Sequence, residues 1–226
     1  MNVFQAGDSK SNSAIQEGVP GSGKEYRQGQ YVFQNKRDPM ADYQQTAGFR
    51  NGVNPELIQS KVKDKKMVFI EPLNKIEQEN WLDKMIADIL SLNKKEFADI
   101  LPSEIEYLLN LIIPELEKEP IIAEVEAPIV ISGDIHGQLQ DLIRFFNQIG
   151  PPPHKKYLFQ GDYVDRNQND VEVITLLMSY KLRYPGYITM LRGNHECRLV
   201  NQIYGFKDSC KRTFDKDGLK IWKKYC

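Results

Sequence analysis

The chain has 226 residues, a formal charge of −1 and a pI near 6.3, with acidic and basic residues interspersed. At roughly 100–200 residues per domain it holds one domain plus a tail as readily as two domains. The balanced charge excludes an electrostatic field that would gather nucleic acid or an anionic membrane.

Met1 to Gln30 contains no secretory-type apolar segment, and no apolar run in the chain is long enough to span a bilayer. Cys197, Cys210 and Cys226 have no paired spacing, which suits a reducing compartment. A soluble cytoplasmic or nuclear protein is expected. Residues 1–66 are rich in Gly, Gln, Asn, Ser and Lys, and their apolar residues, such as Val3, Phe4 and Ile15, arrive singly. Such a segment has no face whose burial would offset its ordering entropy, so a disordered tail is expected.

From Met67 the composition changes. Trp81, Leu82, Met85, Ile86, Ile89 and Leu90 fall on one helical face after Asn80, a natural cap. Ser103, Glu104 and Glu106 read as a capping box opening a second helix, with Ile105, Leu108, Leu109, Ile112 and Leu116 inward and Pro114 kinking or ending it. Beyond Pro128 strands and helices alternate: Ile129–Ile131, a helix over Leu139–Ile149, Tyr157–Phe159, a helix over Val171–Leu182, Tyr187–Leu191, then a helix over Cys197–Phe214 interrupted near Gly205. That order implies right-handed crossovers and a mainly parallel sheet, with a ligand crevice at the carboxyl ends of its strands.

Three motifs stand at those ends. Gly133-Asp134-Ile135-His136-Gly137 follows the first strand, Gly161-Asp162-Tyr163-Val164-Asp165-Arg166 the second, and Gly193-Asn194-His195-Glu196 the third. By itself the first motif reads as well as a turn Asp beside a surface His; the other two favour metal chemistry. Asp134 and His136 are two apart, so continued strand geometry would point both to one side. Their oxygen and nitrogen donors suit Mn, Fe or Zn better than calcium. Asp162 is positioned to bridge two cations and Asn194 to give a neutral oxygen to the second. His195 is the natural general acid, with Asp165 behind it to orient the ring. Arg166 offers a planar fork for phosphate oxygens, although Asp165-Arg166 alone also reads as a surface ion pair. Glu196 reads as a structural acceptor, and His154, after three prolines, as a solvated loop residue.

With Gln138 and Leu191 to Cys197 included, these motifs resemble the metal-dependent serine/threonine phosphoprotein phosphatases of the calcineurin-like metallophosphoesterase superfamily. Ile203 to Arg212 are most similar to the type-1 catalytic subunit, and the resemblance runs from about Trp81 to Cys226. It implies an α/β fold, the N-terminal part of a metallophosphoesterase β-sandwich flanked by helices, over residues 67–226. It further implies two divalent ions, manganese or iron and zinc. Asp134 and His136 would hold the first metal, Asp162 would bridge, and Asn194 would hold the second. His195 and Asp165 would act as acid and orienter, and Arg166 and Asn194 would touch phosphate. Tyr204 falls where the family carries a tyrosine beside its inhibitor-binding surface. Phosphoprotein substrates and regulatory subunits are the implied partners, and no nucleic acid or membrane.

Two departures from the pattern bear on this. The family's second motif closes on glycine, whereas Asn167 stands here, a residue that tolerates left-handed backbone better than most. The family's second sheet, two further ligand histidines, a second phosphate-binding arginine and the regulatory grooves lie beyond the counterpart of Cys226. An incomplete second metal site and an uncovered apolar sheet face are therefore expected. Two readings stay open: a protein phosphatase using metal-activated hydroxide with His195 as general acid, or a truncated, catalytically inactive interaction protein.

Overall fold

The computed structural model describes residues 3–5, 73–92 and 97–226. The expected disordered tail lies outside these residues except for Val3–Gln5, which form a strand, β1, where no structure was expected. β1 pairs antiparallel with β2 (Val130–Ser132).

Helix α1 spans Lys75–Leu90 and starts at Asn74, not Asn80. Asn74 Oδ1 accepts the Glu77 N–H at 3.0 Å while the Glu77 carboxylate accepts the Asn74 N–H at 3.1 Å, a reciprocal cap that fixes the first turn. The expected apolar stripe from Trp81 to Leu90 is buried. Helix α2 spans Pro102–Glu117. Its cap is Leu101, whose N–H is taken by Glu104 at 2.9 Å, so Ser103 is not the capping residue. Pro102 occupies the first turn, where its missing N–H has no partner to lose. Pro114 does not end the helix: it stands exposed near the last turn, where one backbone bond is lost, while Ile105, Leu108, Leu109 and Ile112 are buried.

The sheet order is β1-β2-β3-β4, with β3 at Tyr157–Phe159 and β4 at Ile188–Met190. Strands β2, β3 and β4 run parallel, so that Ser132, Phe159 and Met190 stand level at their carboxyl ends. Strand β2 is shifted one residue from the expected span and β4 is trimmed at both ends; β3 matches. Helix α3 (Leu139–Ile149) joins β2 to β3 and helix α4 (Asp170–Arg183) joins β3 to β4. Val130, Tyr157, Phe159 and Ile188 are buried against these helices, and the alternate row Ile131, Leu158 and Thr189 is half-exposed on the other face. Beyond β4, helices α5 (Arg198–Tyr204) and α6 (Phe206–Phe214) are separated by Gly205 at φ 132°, a conformation open to glycine. Helix α7 (Gly218–Tyr225) was not foreseen in the sequence; it buries Ile221 and Trp222. Among the described residues no helix is long and apolar enough to cross a membrane.

The core centres on α4. Every residue from Asp170 to Lys181 of this helix is buried. Lys181 donates to the Ile188 carbonyl at 3.0 Å and to Glu119, and Glu172 accepts the Ala98 N–H at 3.1 Å. Arg183 holds Asp83 on α1 through Nε at 2.8 Å. Phe146 of α3 meets Tyr157 and Tyr180 edge-on with centroids 5.4 and 5.3 Å away. Phe146→Ala removes this wholly buried ring and should cost about 3–5 kcal/mol, measured by urea denaturation.

Asp170 accepts the Ser209 hydroxyl at 2.8 Å. Burial pushes its carboxyl up to about 7, against the lowering effect of Ser209, with the Asp165 charge adding to the rise. The folded protein thus keeps a proton that the unfolded chain releases, so stability falls as pH rises from about 4 to 7 and levels above that. Asp170→Asn should flatten this fall by up to about 4 kcal/mol, read from denaturant midpoints between pH 4.5 and 8.

Candidate metal centre and catalytic site

Each parallel strand delivers one loop to the same edge: residues 133–137 after β2, 161–167 after β3 and 193–196 after β4. The first two are laced by backbone bonds. Ile135 and His136 N–H groups donate to the Asp162 carbonyl at 3.0 and 2.9 Å, and Gly137 N–H to that of Tyr163 at 2.9 Å. The second and third meet glycine to glycine. A Cβ on Gly161 would lie 2.1 Å from the Gly193 nitrogen, and one on Gly193 would lie 2.2 Å from Asp162 Oδ1.

Glu196 binds the same pair of loops. Its carboxylate accepts N–H groups from Asp162 at 2.7 Å, Tyr163 at 2.8 Å and Gly193 at 2.9 Å. Burial raises its pKa above the ordinary value of a carboxyl group in spite of these three donors. The structural reading of Glu196 fits this geometry, and its number of donors was not legible from the motif.

Strand geometry does not persist to His136 as expected, because β2 stops at Ser132 and His136 has φ 47°. Asp162, Asp165 and Arg166 are also left-handed, at φ 54°, 72° and 74°, each a conformation costing about 1–2 kcal/mol for a residue bearing a Cβ. Asn167 is not among the positive-φ residues, so the expectation that it would supply the left-handed turn is corrected. The turn is made one and two residues earlier, and the Asn167 side chain donates to the His136 carbonyl at 2.7 Å.

These turns aim the donors. His136 Nδ1 lies 2.7 Å from the Val164 carbonyl, which places the proton on Nδ1 and leaves Nε2 a bare acceptor. That Nε2 is buried with no hydrogen-bond partner, and Asp134 Oδ2 lies 3.7 Å away. Ligand atoms of His136, Asp162 and His195 lie within 4.8 Å of one another, and the two imidazole rings are 4.6 Å apart. A buried imidazole lone pair beside carboxylates is a donor set that a divalent cation completes, so the residues fit a metal. Asp134 stands at the exposed rim, half out of the cluster. Asn194 is exposed at the start of the short 3₁₀ turn over Asn194–Glu196, next to His195, and not within the group of His136, Asp162 and His195.

His195 is held from three sides. Its Nδ1 donates to Asp165 Oδ2 at 2.7 Å, its N–H to Asp162 Oδ1 at 2.8 Å, and its carbonyl accepts the Asn201 amide at 3.1 Å. Asp165 is wholly buried, and its other oxygen accepts the Phe206 N–H at 2.8 Å. Asp165 and Arg166 are therefore not a local surface pair. Arg166 instead reaches His195 Nε2 at 3.3 Å. Tyr204 exposes about half its surface, 56%, with its ring 5.3 Å from that of His195 and its carbonyl accepting the Arg166 N–H at 3.2 Å. His154 is exposed, away from these loops.

Two contributors were not picked out from sequence. Asn201 bridges the His195 carbonyl and the Trp222 indole N–H, the latter at 2.9 Å. Asp170 lies where a Cβ on Gly137 would meet its Oδ1 at 2.5 Å. Both are single polar residues on helices, and only their burial distinguishes them. Glu196→Gln replaces one carboxylate oxygen by an amide NH₂ that faces at least one of the N–H donors and should cost about 1.5–3 kcal/mol, seen as a lowered urea midpoint. Release of the two loops should also weaken divalent-metal binding, measured by calorimetry.

Residues 127–226 match the calcineurin-like phosphoesterase family model. Among solved structures, the chain is similar to a protein serine/threonine phosphatase from Saccharomyces cerevisiae described as similar to human phosphatase PP5. The identity is 27% over 76% of this chain and 49% of that one, with a TM-score of 0.45. The chain thus spans about half the length of that structure. This segment, with its parallel sheet and three motif loops, carries the His136, Asp162 and His195 group that could hold a metal ion. Over residues 127–226, the chain is therefore similar to the calcineurin-like phosphoesterases.

Proposed function

We propose that this protein hydrolyses phosphoserine and phosphothreonine in proteins, as a metal-dependent phosphatase. The observation that carries the reading is the buried, unpartnered Nε2 of His136 facing Asp134, close to Asp162 and to an imidazole already paired with a buried carboxylate. Asp134 and His136 would hold a first divalent cation, and Asp162 and Asn194 would contribute to a second. Mn, or Fe and Zn, suits these donors. Bound there, the cations supply Lewis-acid polarisation of phosphoryl oxygen and acidification of water.

The remaining chemistry belongs to the chain. Arg166 leaves His195 and takes phosphate oxygens with its guanidinium, assisted by the Asn194 amide. Asp165 keeps the His195 ring turned so that Nε2 faces the leaving oxygen. His195 then donates its Nε2 proton to the departing serine or threonine oxygen, a step worth typically 10²–10⁴-fold. Tyr204, exposed beside this ring, borders the path of the substrate chain. The likeness of Ile203 to Arg212 to type-1 phosphatases supports a protein substrate over a nucleotide. Phosphoproteins and regulatory subunits in the cytoplasm or nucleus are the partners consistent with this reading.

Phosphate release from a phosphoserine peptide in the presence of Mn²⁺ tests it. Asp162→Ala should abolish the metal-dependent rate and His195→Ala should lower it by about 10²–10⁴-fold. Unchanged rates in both variants would refute the roles. Failure to hydrolyse any phosphoester while still binding Mn²⁺ would favour an inactive interaction protein.

A further inference from the structure

The second loop holds His136 at three separate points. Its N–H donates to the Asp162 carbonyl at 2.9 Å, its ring Nδ1 is tied to the Val164 carbonyl at 2.7 Å, and its own carbonyl accepts the Asn167 side-chain amide at 2.7 Å. Two of these ties are made by backbone oxygens, which any residue supplies. The third depends on a side chain. Asn167 also packs directly over the turn that follows His136, since a Cβ on Gly137 would stand 3.2 Å from Asn167 Cβ.

We infer that Asn167 is a positioning residue for the metal ligand His136. Its amide straps the carbonyl of that left-handed residue to the second loop and keeps the unpartnered Nε2 aimed at the metal position. The conformation at φ 47° is unfavourable for a residue with a Cβ, so it persists only while its peptide groups are held. The N–H and carbonyl of His136 are pulled toward the same loop, which fixes the ring plane more tightly than either bond alone. Glycine at position 167 cannot make this bond. The inference rests on the reading of His136 as a ligand, and the measurements separate the two.

Titration of the whole chain with Mn²⁺ by calorimetry, together with the visible absorption of bound Co²⁺, tests the strap. Asn167→Ala and Asn167→Gly should both weaken Mn²⁺ binding by about tenfold or more and alter the Co²⁺ band, as losses behind a ligand typically do. Gln168→Ala, next door and exposed, should change neither. Asn167→Asp keeps the shape but lacks the donating N–H, and should weaken binding likewise; it carries the test if the smaller variants fail to fold. Native-like affinity and spectrum in the Asn167 variants would overturn the strap while leaving His136 a ligand. Loss in the Gly variant alone would assign the effect to backbone freedom and overturn it too. Absence of Mn²⁺ binding by the unaltered chain would overturn the ligand reading itself and the strap with it.

Discussion

The carboxylate of Glu196 is the constraint on which the rest of this site depends. Three backbone N–H groups from two different loops converge on it within 2.9 Å, in a half-buried place. A charged acceptor with several donors in a low-dielectric setting is a strong arrangement, and it is costly to leave half-made. The loops after β3 and β4 therefore have one stable relative placement, and the left-handed residues of the second loop can be tolerated within it. The parallel strands bring the loops to one edge; the Glu196 interaction sets their spacing on the scale that coordination chemistry needs.

One rule of orientation then serves both histidines. His136 and His195 each commit Nδ1 to an oxygen acceptor, the Val164 carbonyl in one case and the buried Asp165 carboxylate in the other. Each therefore presents Nε2 to the space between the loops. The difference in acceptor separates their tasks: a neutral carbonyl leaves a lone pair suited to a cation, whereas a carboxylate stabilises a ring that carries a proton. Asp162 joins the two, with one oxygen on the His195 N–H and its side chain within reach of the His136 ring.

Much of this arrangement could be read from the residues, because alternating strands and helices with Asp, His and Asn at strand ends leave few topologies. Strand β3, helix α3 and the break at Gly205 fell where periodicity and glycine placed them. The failures have physical reasons. The apolar stripe places the start of α1 at Asn80, but the cap is a side-chain exchange at Asn74, six residues upstream and outside the stripe. The complete burial of helix α4 is not legible in its sequence, because Asp170, Glu172 and Lys181 look like solvent residues until Ser209, Ala98 and Glu119 are folded against them. The expectation for Asp134 and His136 assumed an extended backbone, whereas the approach of their side chains is made by a left-handed turn that sequence does not announce. Asn167 was read as a tolerant backbone, while it is the side chain that has the contact.

The contact between Gly161 and Gly193 has a consequence for how this edge of the sheet responds to change. With less room than a methyl group between the two chains, the closest approach that the Glu196 carboxylate can draw them to is limited by main-chain van der Waals radii. Repacking elsewhere in the helices alters side-chain volumes without touching this gauge. The hydrophobic layer beneath is thereby free to drift over evolutionary time while the mouth of the crevice keeps its width.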